Sequence, residues 1–244
     1  MLKKIILFSL ALFIYSCGSD NPTNSGDDTF DIGIAENKEW IYDRIYDPNI
    51  DSIRWVMFLE ESTDSTKIFK TYSLPNGMTI ETANEYGNFG YLIIDENNIY
   101  IHRDGFGSHY YAGRYWKKEF YVKYFSVDTE SWAILEDEND TTYQSGLYEK
   151  FYIELKGENL GSSIINFDGK DRKSITSRVT TKIRRVTKYP EEEPYEDREK
   201  NIVEMTVIDG IGVYEIDSEF IKYPHDSDSI ASKSRMKLIE YREK

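Results

Sequence analysis

Three basic side chains on one predicted strand are the most specific candidates for binding chemistry in this chain. They are Arg178, Lys182 and Arg184. The strand is predicted over residues 174–189, where alternate side chains point to the same face, so the three cations would lie together. Guanidinium and ammonium groups on one face can hold a carboxylate or a phosphate. The alternative is that they pair with carboxylates across neighbouring strands, or with the acidic segment 191–199 that follows.

Metal binding and catalysis are not indicated by any specific motif. The histidines are His102, His109 and His225, and they do not have the ligand number or spacing of a zinc site. The oxygen-rich segments 136–140 and 226–228 lack the ligand spacing and central glycine of an EF-hand loop. No Gly-x-Ser-x-Gly motif occurs, and with 44 acidic residues any carboxylate pair could be nominated for glycoside hydrolysis. We therefore predict no metal site, no cofactor and no identifiable catalytic residue.

The single cysteine, Cys17, follows a short apolar segment at the N-terminus. Lys3 and Lys4 precede an apolar run over residues 5–14, and the small Ser16 stands directly before the cysteine. A charged start, an apolar middle and a small residue at the end are typical of a secretory signal. The run is shorter than the roughly 20 residues of a transmembrane helix. The alternative is an ordinary secretory signal with an incidental cysteine.

This segment resembles the signal peptide of bacterial lipoproteins, in which the cysteine is acylated and becomes the new N-terminus. The resemblance implies a signal peptide over residues 1–16, lipidation of Cys17 and a location in the bacterial cell envelope. In such lipoproteins an aspartate directly after the cysteine resembles an inner-membrane retention signal. This chain has Gly18 at that position, so the resemblance favours the outer membrane and leaves the leaflet open. Residues 17–28 are polar and predict a flexible tether, which leaves residues 29–244 as a single β-rich domain.

Composition restricts the partners of this domain. The chain carries 30 basic and 44 acidic residues and a formal net charge of −14, which disfavours binding to nucleic acid. No cysteine follows Cys17, so no disulfide bond within the domain can stabilise its core. Aromatic residues make up 15% of the chain and include 20 tyrosines, a composition that suits half-buried strands. A tyrosine could also stack on a sugar or peptide, but a strand position is its ordinary role.

Alternation with period two runs through most of the chain and predicts strands. The first hairpin is predicted from EWIYDRIY and SIRWVMFLEE, with Ile53, Trp55 and Met57 on one face of the second strand. The next is predicted from STKIFKTYSL and MTIETA, and the third from GYLIID and NIYIH.

Three later segments are predicted to interrupt the strands. Residues 136–140 are a solvated acidic turn, residues 157–161 break a strand with glycines, and residues 190–201 are a charged loop with two prolines. No ten-residue window keeps the apolar spacing of a helix.

The fold class predicted from these patterns is all-β, with few or no helices. We expect a single antiparallel meander sheet, strongly curved as a half-barrel, an open barrel or a sandwich. The chain resembles uncharacterised bacterial β-sheet lipoproteins that begin with a Trp-x-Tyr strand and carry a late Gly-x-Gly. The matching residues here are Trp40 and Tyr42, then Gly210 and Gly212. The resemblance implies an antiparallel sheet, curled like the half-barrels of lipoprotein carriers, and no known reaction.

The function predicted from the sequence is that of a non-enzymatic, membrane-anchored envelope lipoprotein. Its β domain would bind an envelope glycan, a lipid or a protein partner. The alternative is a carbohydrate-active or other hydrolytic surface lipoprotein that uses unidentified carboxylates. A deep cleft with several perturbed acids would favour the enzyme, whereas a smooth face or shallow aromatic groove would favour the binding protein.

Overall fold

The protein is described by a computed structural model that covers residues 29–35, 38–46, 49–75, 77–87, 89–102, 121–224 and 228–243. Within these ranges the chain forms one short helix and strands that follow one another closely. They are β1 (Lys38–Tyr46), β2 (Asn49–Ser62), β3 (Thr66–Pro75), α1 (Ile80–Glu85), β4 (Phe89–Asp95), β5 (Asn98–His102), β6 (Tyr121–Ser126), β7 (Ser131–Thr142), β8 (Tyr148–Phe167), β9 (Lys170–Lys188), β10 (Tyr195–Ile208), β11 (Gly212–Tyr223) and β12 (Ile230–Glu243). None of the described helical segments is long and apolar enough to cross a membrane.

All the described strands belong to one antiparallel sheet. Its order is β6-β5-β4-β3-β2-β1-β12-β11-β10-β9-β8-β7. Each half is a meander of sequence neighbours, and the first and last strands of the chain, β1 and β12, join the two halves. The predicted all-β class with few helices and a single antiparallel sheet is confirmed. The sheet is open, since β6 and β7 form no ladder with each other in the described chain.

The connection between β6 and β7 shows that the sheet is strongly curled. These strands are the two edges of the sheet, yet only residues 127–130 link them. A flat sheet of this order would hold its edges about 50 Å apart, whereas such a link spans at most about 18 Å. The edges therefore approach each other, and Val122 of β6 packs against Leu155 of β8 and Val179 of β9.

Trp132 holds the approaching edges together. Its Nε1 donates a hydrogen bond to the Lys123 carbonyl of β6 at 3.0 Å, and its indole lies directly on Gly157 of β8. A Cβ atom on Gly157 would lie 2.0 Å from the indole, so only glycine leaves room for the ring. Asn159 adds a hydrogen bond from its Nδ2 to the Ser126 carbonyl, at 3.0 Å.

The concave side of the sheet is filled. The predicted face of β2, with Ile53, Trp55 and Met57, is buried there among aliphatic and aromatic side chains from the other strands. The segment before β1 adds the buried side chains of Phe30, Ile32 and Ile34. Removal of this apolar area from water is the main contribution to stability in a chain without disulfides.

The two short motifs that carry the resemblance to β-sheet lipoproteins meet in the core. Trp40 is fully buried and donates from Nε1 to the Ile211 carbonyl at 2.8 Å, while the Tyr42 hydroxyl donates to the Val213 carbonyl at 2.7 Å. A Cβ on Gly212 would lie 3.0 Å from the Trp40 Nε1, so the glycine admits the indole. The pairing satisfies polar atoms that burial would otherwise leave without a partner.

The second predicted hairpin is wrong, because the segment MTIETA contains the helix α1. Thr79 caps this helix by accepting a hydrogen bond from the Thr82 backbone N–H at 3.2 Å, and Ala83 is buried against β2 and β3. Strand β3 pairs instead with β4. The third hairpin, β4 with β5, and the first, β1 with β2, are confirmed.

The three predicted interruptions are also wrong. Residues 136–140 lie within β7, and residues 157–161 lie within β8. A β-bulge between Asn159 and Gly161 shifts the register there without ending the strand. The supposed loop 190–201 is a short turn followed by β10 from Tyr195 onward. Charged residues and glycines favour turns when a segment is considered alone, but cross-strand partners allow them in a ladder.

Tyr42 leads to a prediction about stability at high pH. Burial raises its phenol pKa well above the ordinary value, so the folded protein keeps this proton above about pH 10, where an unfolded tyrosine loses it. The stabilisation is complete below pH 10 and falls as the pH rises beyond it. Tyr42→Phe should cost about 1 kcal/mol at pH 7 through the lost hydrogen bond, but should make the alkaline fall shallower.

Urea unfolding at pH 7 and between pH 10 and 11 checks this prediction. Tyr86→Phe, at an exposed position, is the matched control and should leave both measurements unchanged. Equal alkaline slopes for Tyr42→Phe and the parent protein would contradict it.

Candidate functional site

The three predicted anion-binding residues lie on the outer face of β9, the face opposite the core. Arg178, Lys182 and Arg184 alternate with the buried side chains of Val179 and Ile183. The predicted common face is therefore observed. The question left open by the sequence is how much of their charge is already neutralised by carboxylates of the protein.

Arg178 is held between two carboxylates. Its Nη2 lies 2.6 Å from the Glu204 Oε1 on β10, and its Nη1 lies 3.1 Å from the Glu158 Oε1 on β8. Hydrogen bonding to Glu204, followed by that to Glu158, raises the pKa of the guanidinium. The cross-strand pairing alternative describes this residue well, and Arg178 connects three strands.

Lys182 and Arg184 each have one carboxylate partner, which they share with another cation. Lys182 Nζ lies 3.1 Å from the Glu154 Oε2, and Lys156 pairs with the other oxygen of the same carboxylate. Hydrogen bonds from Lys156, then Lys182, lower the pKa of Glu154. Arg184 Nε lies 3.0 Å from Glu196, which also accepts from Arg198 at 2.5 Å.

Two further cations, Arg198 and Lys200, stand beside them on β10 and were missed from the sequence. The register places Arg198 directly opposite Arg184, and Lys200 directly opposite Lys182. We call the four side chains of Lys182, Arg184, Arg198 and Lys200 the cation block. In the segment EDREK the two basic residues are two positions apart, so they would share one face of a strand. Two nearby prolines and the lack of apolar residues nevertheless favour a loop.

The cation block has fewer carboxylates paired with it than it has cations. Lys182, Arg184 and Arg198, together with Lys156, share the carboxylates of Glu154 and Glu196. Lys200 has no carboxylate or hydrogen-bond partner among the described residues. Like charges directly opposite on neighbouring strands destabilise a sheet, and here two such pairs follow one another in a chain whose net charge is −14.

A groove of about 780 Å³ runs over the outer face at the cation block. Glu136 and Glu138 of β7 line one side, and Tyr223 at the end of β11 lines the other. Tyr152 lies between them with its ring covered by cations: the Arg184 Cζ is 4.3 Å and the Lys150 Nζ 4.8 Å from the ring centroid. A second groove, of about 540 Å³, adjoins the first and shares Lys182 and Lys200. The site is thus bipolar, with an acidic wall and a basic floor.

The remaining sequence-predicted sites add no chemistry to this groove. Cys17, His109 and His225 lie outside the described residues, and His102 is the last residue of β5. No group of three or more metal-ligating side chains occurs in the described ranges. Burial raises the pKa of the Glu215 carboxyl on β11, but this residue does not line the groove.

Comparison with known proteins identified two solved structures that are similar to this chain. One is a proposed lipoprotein from Parabacteroides distasonis, with 10% sequence identity, a TM-score of 0.43, and coverage of 89% of this chain and 100% of that chain. The other is a proposed exported protein with a YmcC-like fold from Bacteroides fragilis, with 9% identity, a TM-score of 0.39, and coverage of 88% and 99%. No family model and no curated protein matches the chain.

Proposed function

We propose that this chain is a lipid-anchored, non-enzymatic protein of the bacterial cell envelope, and that it binds an anionic ligand at the cation block. The N-terminal signal and Cys17 support the anchor, and the absence of an inner-membrane retention aspartate at position 18 supports the outer membrane. The observation that carries the binding proposal is the pair of like-charged contacts, Lys182 with Lys200 and Arg184 with Arg198.

The filled interior supports a ligand on the outer face. A half-barrel carrier would hold its ligand on the concave side, but here Phe30, Ile32 and Ile34 occupy that side together with the strand side chains. The outer groove is open to solvent, and Lys200, which lines it, has no carboxylate partner among the described residues. An anion placed between Lys182 and Lys200 would relieve their repulsion and would form charge-assisted hydrogen bonds with both ammonium groups.

The double variant Lys182→Gln with Lys200→Gln tests this proposal. We expect it to bind dextran sulfate and polygalacturonate at least about tenfold more weakly than the parent protein, because two charge-assisted contacts are lost. The parent affinity should fall with rising ionic strength, since the contacts are exposed. The unfolding free energy should stay equal or rise slightly, because the substitutions remove a like-charge pair.

Lys67→Gln with Lys233→Gln is the control, because it removes the same charge from exposed lysines outside the groove. Isothermal titration calorimetry at 20 and 200 mM salt measures both variants. Equal affinities of the two double variants, or no binding of either glycan by the parent protein, would show that the cation block is not a binding site.

A further inference from the structure

Tyr223 presents an exposed aromatic ring beside the cation block. Its side chain is 46% exposed and lines the same groove. The register places it directly opposite Arg198. Within the described chain no ring or cation packs on Tyr223, whereas Tyr152 is covered by Arg184 and Lys150, and Tyr189 stacks on Tyr195 with ring centroids 6.2 Å apart.

The distance between this ring and the centre of the cation block matches a ligand larger than a bare anion. Tyr223 stands on β11, one strand from Lys200 on β10 and two strands from Lys182 on β9. Tyr223 pairs with Arg198, two residues along β10 from Lys200. With strands about 4.8 Å apart and residues about 3.4 Å apart along a strand, the ring and an anion between the lysines would be about 10 Å apart. A sugar whose ring packs on Tyr223 can place the acidic group of a neighbouring sugar at that distance.

The acidic wall distinguishes between classes of anion. Glu136 and Glu138 line the groove opposite Tyr223, and Glu138 forms an ion pair with Lys150. The carboxylate of Glu136 repels a ligand that is negative over its whole surface, but carboxylates accept hydrogen bonds from hydroxyl groups. A ligand whose acidic groups are spaced along hydroxyl-bearing rings therefore matches both the acidic wall and the cation block, while a polyphosphate or a densely charged lipid surface matches only the cation block.

From these features we infer that the ligand of the groove is an acidic saccharide, whose anionic group lies between Lys182 and Lys200 and whose ring packs on Tyr223. This inference rests on the proposed function and adds the ligand class. Stacking on the tyrosine ring supplies affinity that does not depend on charge. The acidic group sets the position of the sugar through the two ammonium groups.

The test compares Tyr223→Ala with the parent protein on three probes. They are oligogalacturonate, which has rings and carboxylates; tripolyphosphate, which has charge without rings; and phosphatidylglycerol vesicles, which have phosphate on a membrane surface. We expect Tyr223→Ala to bind oligogalacturonate roughly five- to tenfold more weakly, as the loss of an aromatic contact implies, and to bind tripolyphosphate as the parent does. Tyr86→Ala, at another exposed tyrosine, is the control and should bind all probes as the parent does.

The outcomes separate the ligand class from the proposed function. If Tyr223→Ala binds oligogalacturonate as well as the parent, while Lys182→Gln with Lys200→Gln still loses it, the saccharide inference is wrong and the anion site stands. The inference is also wrong if the vesicles bind more tightly than oligogalacturonate. If the parent protein binds none of the probes, both the inference and the anion site are wrong. Matching circular dichroism spectra and melting temperatures ensure that a lost affinity reports on the groove.

Discussion

Gly33→Ala is expected to destabilise the domain by about 2 to 5 kcal/mol. Gly33 has a φ of +74°, which an L side chain adopts at a cost of about 1 to 2 kcal/mol. Its Cβ would also lie 2.4 Å from the backbone of Gly210 and Ile211. The segment before β1 would have to withdraw from the β10–β11 turn, which costs about a further 1 to 3 kcal/mol through overpacking.

Gly169→Ala separates the two contributions. Gly169 has almost the same φ, +73°, but a Cβ there meets nothing within 4 Å. The Gly169→Ala variant should lose only about 1 to 2 kcal/mol of unfolding free energy, which is the part that comes from the left-handed conformation. Urea unfolding followed by tryptophan fluorescence measures both variants. Equal losses would mean that the segment before β1 does not approach the turn as closely as the structure places it.

A withdrawn segment would release more than one contact. The Gly210 N–H donates to the Asp31 carbonyl at 2.8 Å, and the Asp31 N–H donates to the Asp209 Oδ1 at 2.7 Å. Both hydrogen bonds hold the segment across the core with Phe30 and Ile32 buried below it. The segment is therefore part of the folded domain.

Cys17→Ser is expected to abolish lipid attachment and release the protein from the membrane fraction. The residue lies outside the described part of the chain, so the expectation comes from the sequence alone. A serine has no thiol to acylate, and each acyl methylene buried in the bilayer contributes about 0.8 kcal/mol. Without its acyl chains the protein would have no stable attachment to the membrane. Metabolic labelling with a fatty acid, followed by membrane fractionation, measures the effect.

Asp20→Asn is the control for this experiment, because it changes a nearby polar residue and keeps the cysteine. It should retain the label. Its distribution between inner and outer membrane also reports whether the acids after Cys17 influence sorting. A Cys17→Ser protein that still carries the fatty-acid label and still partitions with the outer membrane would exclude the lipoprotein interpretation.

The three cations predicted from the sequence differ in how far the sheet itself uses them. Arg178 is held by Glu204 and Glu158, so of the three it serves the sheet most directly. Lys182 and Arg184 share their carboxylates and stand beside Lys200 and Arg198. The proposed anion site therefore centres on these four side chains.

Strands with an alternating apolar pattern can be predicted from the amino-acid sequence alone. Ile53, Trp55 and Met57 were placed on one face, and that face is buried. Trp40, Tyr42, Gly210 and Gly212 carry the resemblance to bacterial β-sheet lipoproteins. The indole donates to the Ile211 carbonyl between the two glycines, and the phenol donates to the Val213 carbonyl directly after them. These features are local, because period-two burial and the turn preferences of neighbouring residues are written into short segments.

The positions of the charged segments, and the contacts between them, depend on how the strands pair. The segment 195–201 has almost no apolar signal, and it becomes a strand because Glu196 and Asp197 find Arg184 and Arg185 on β9. The cation block exists because the register aligns two strands residue by residue, and a shift of one residue would send half of its side chains to the other face. Register, sheet order and the filling of the interior depend on contacts between residues far apart in the chain, and no short segment specifies them.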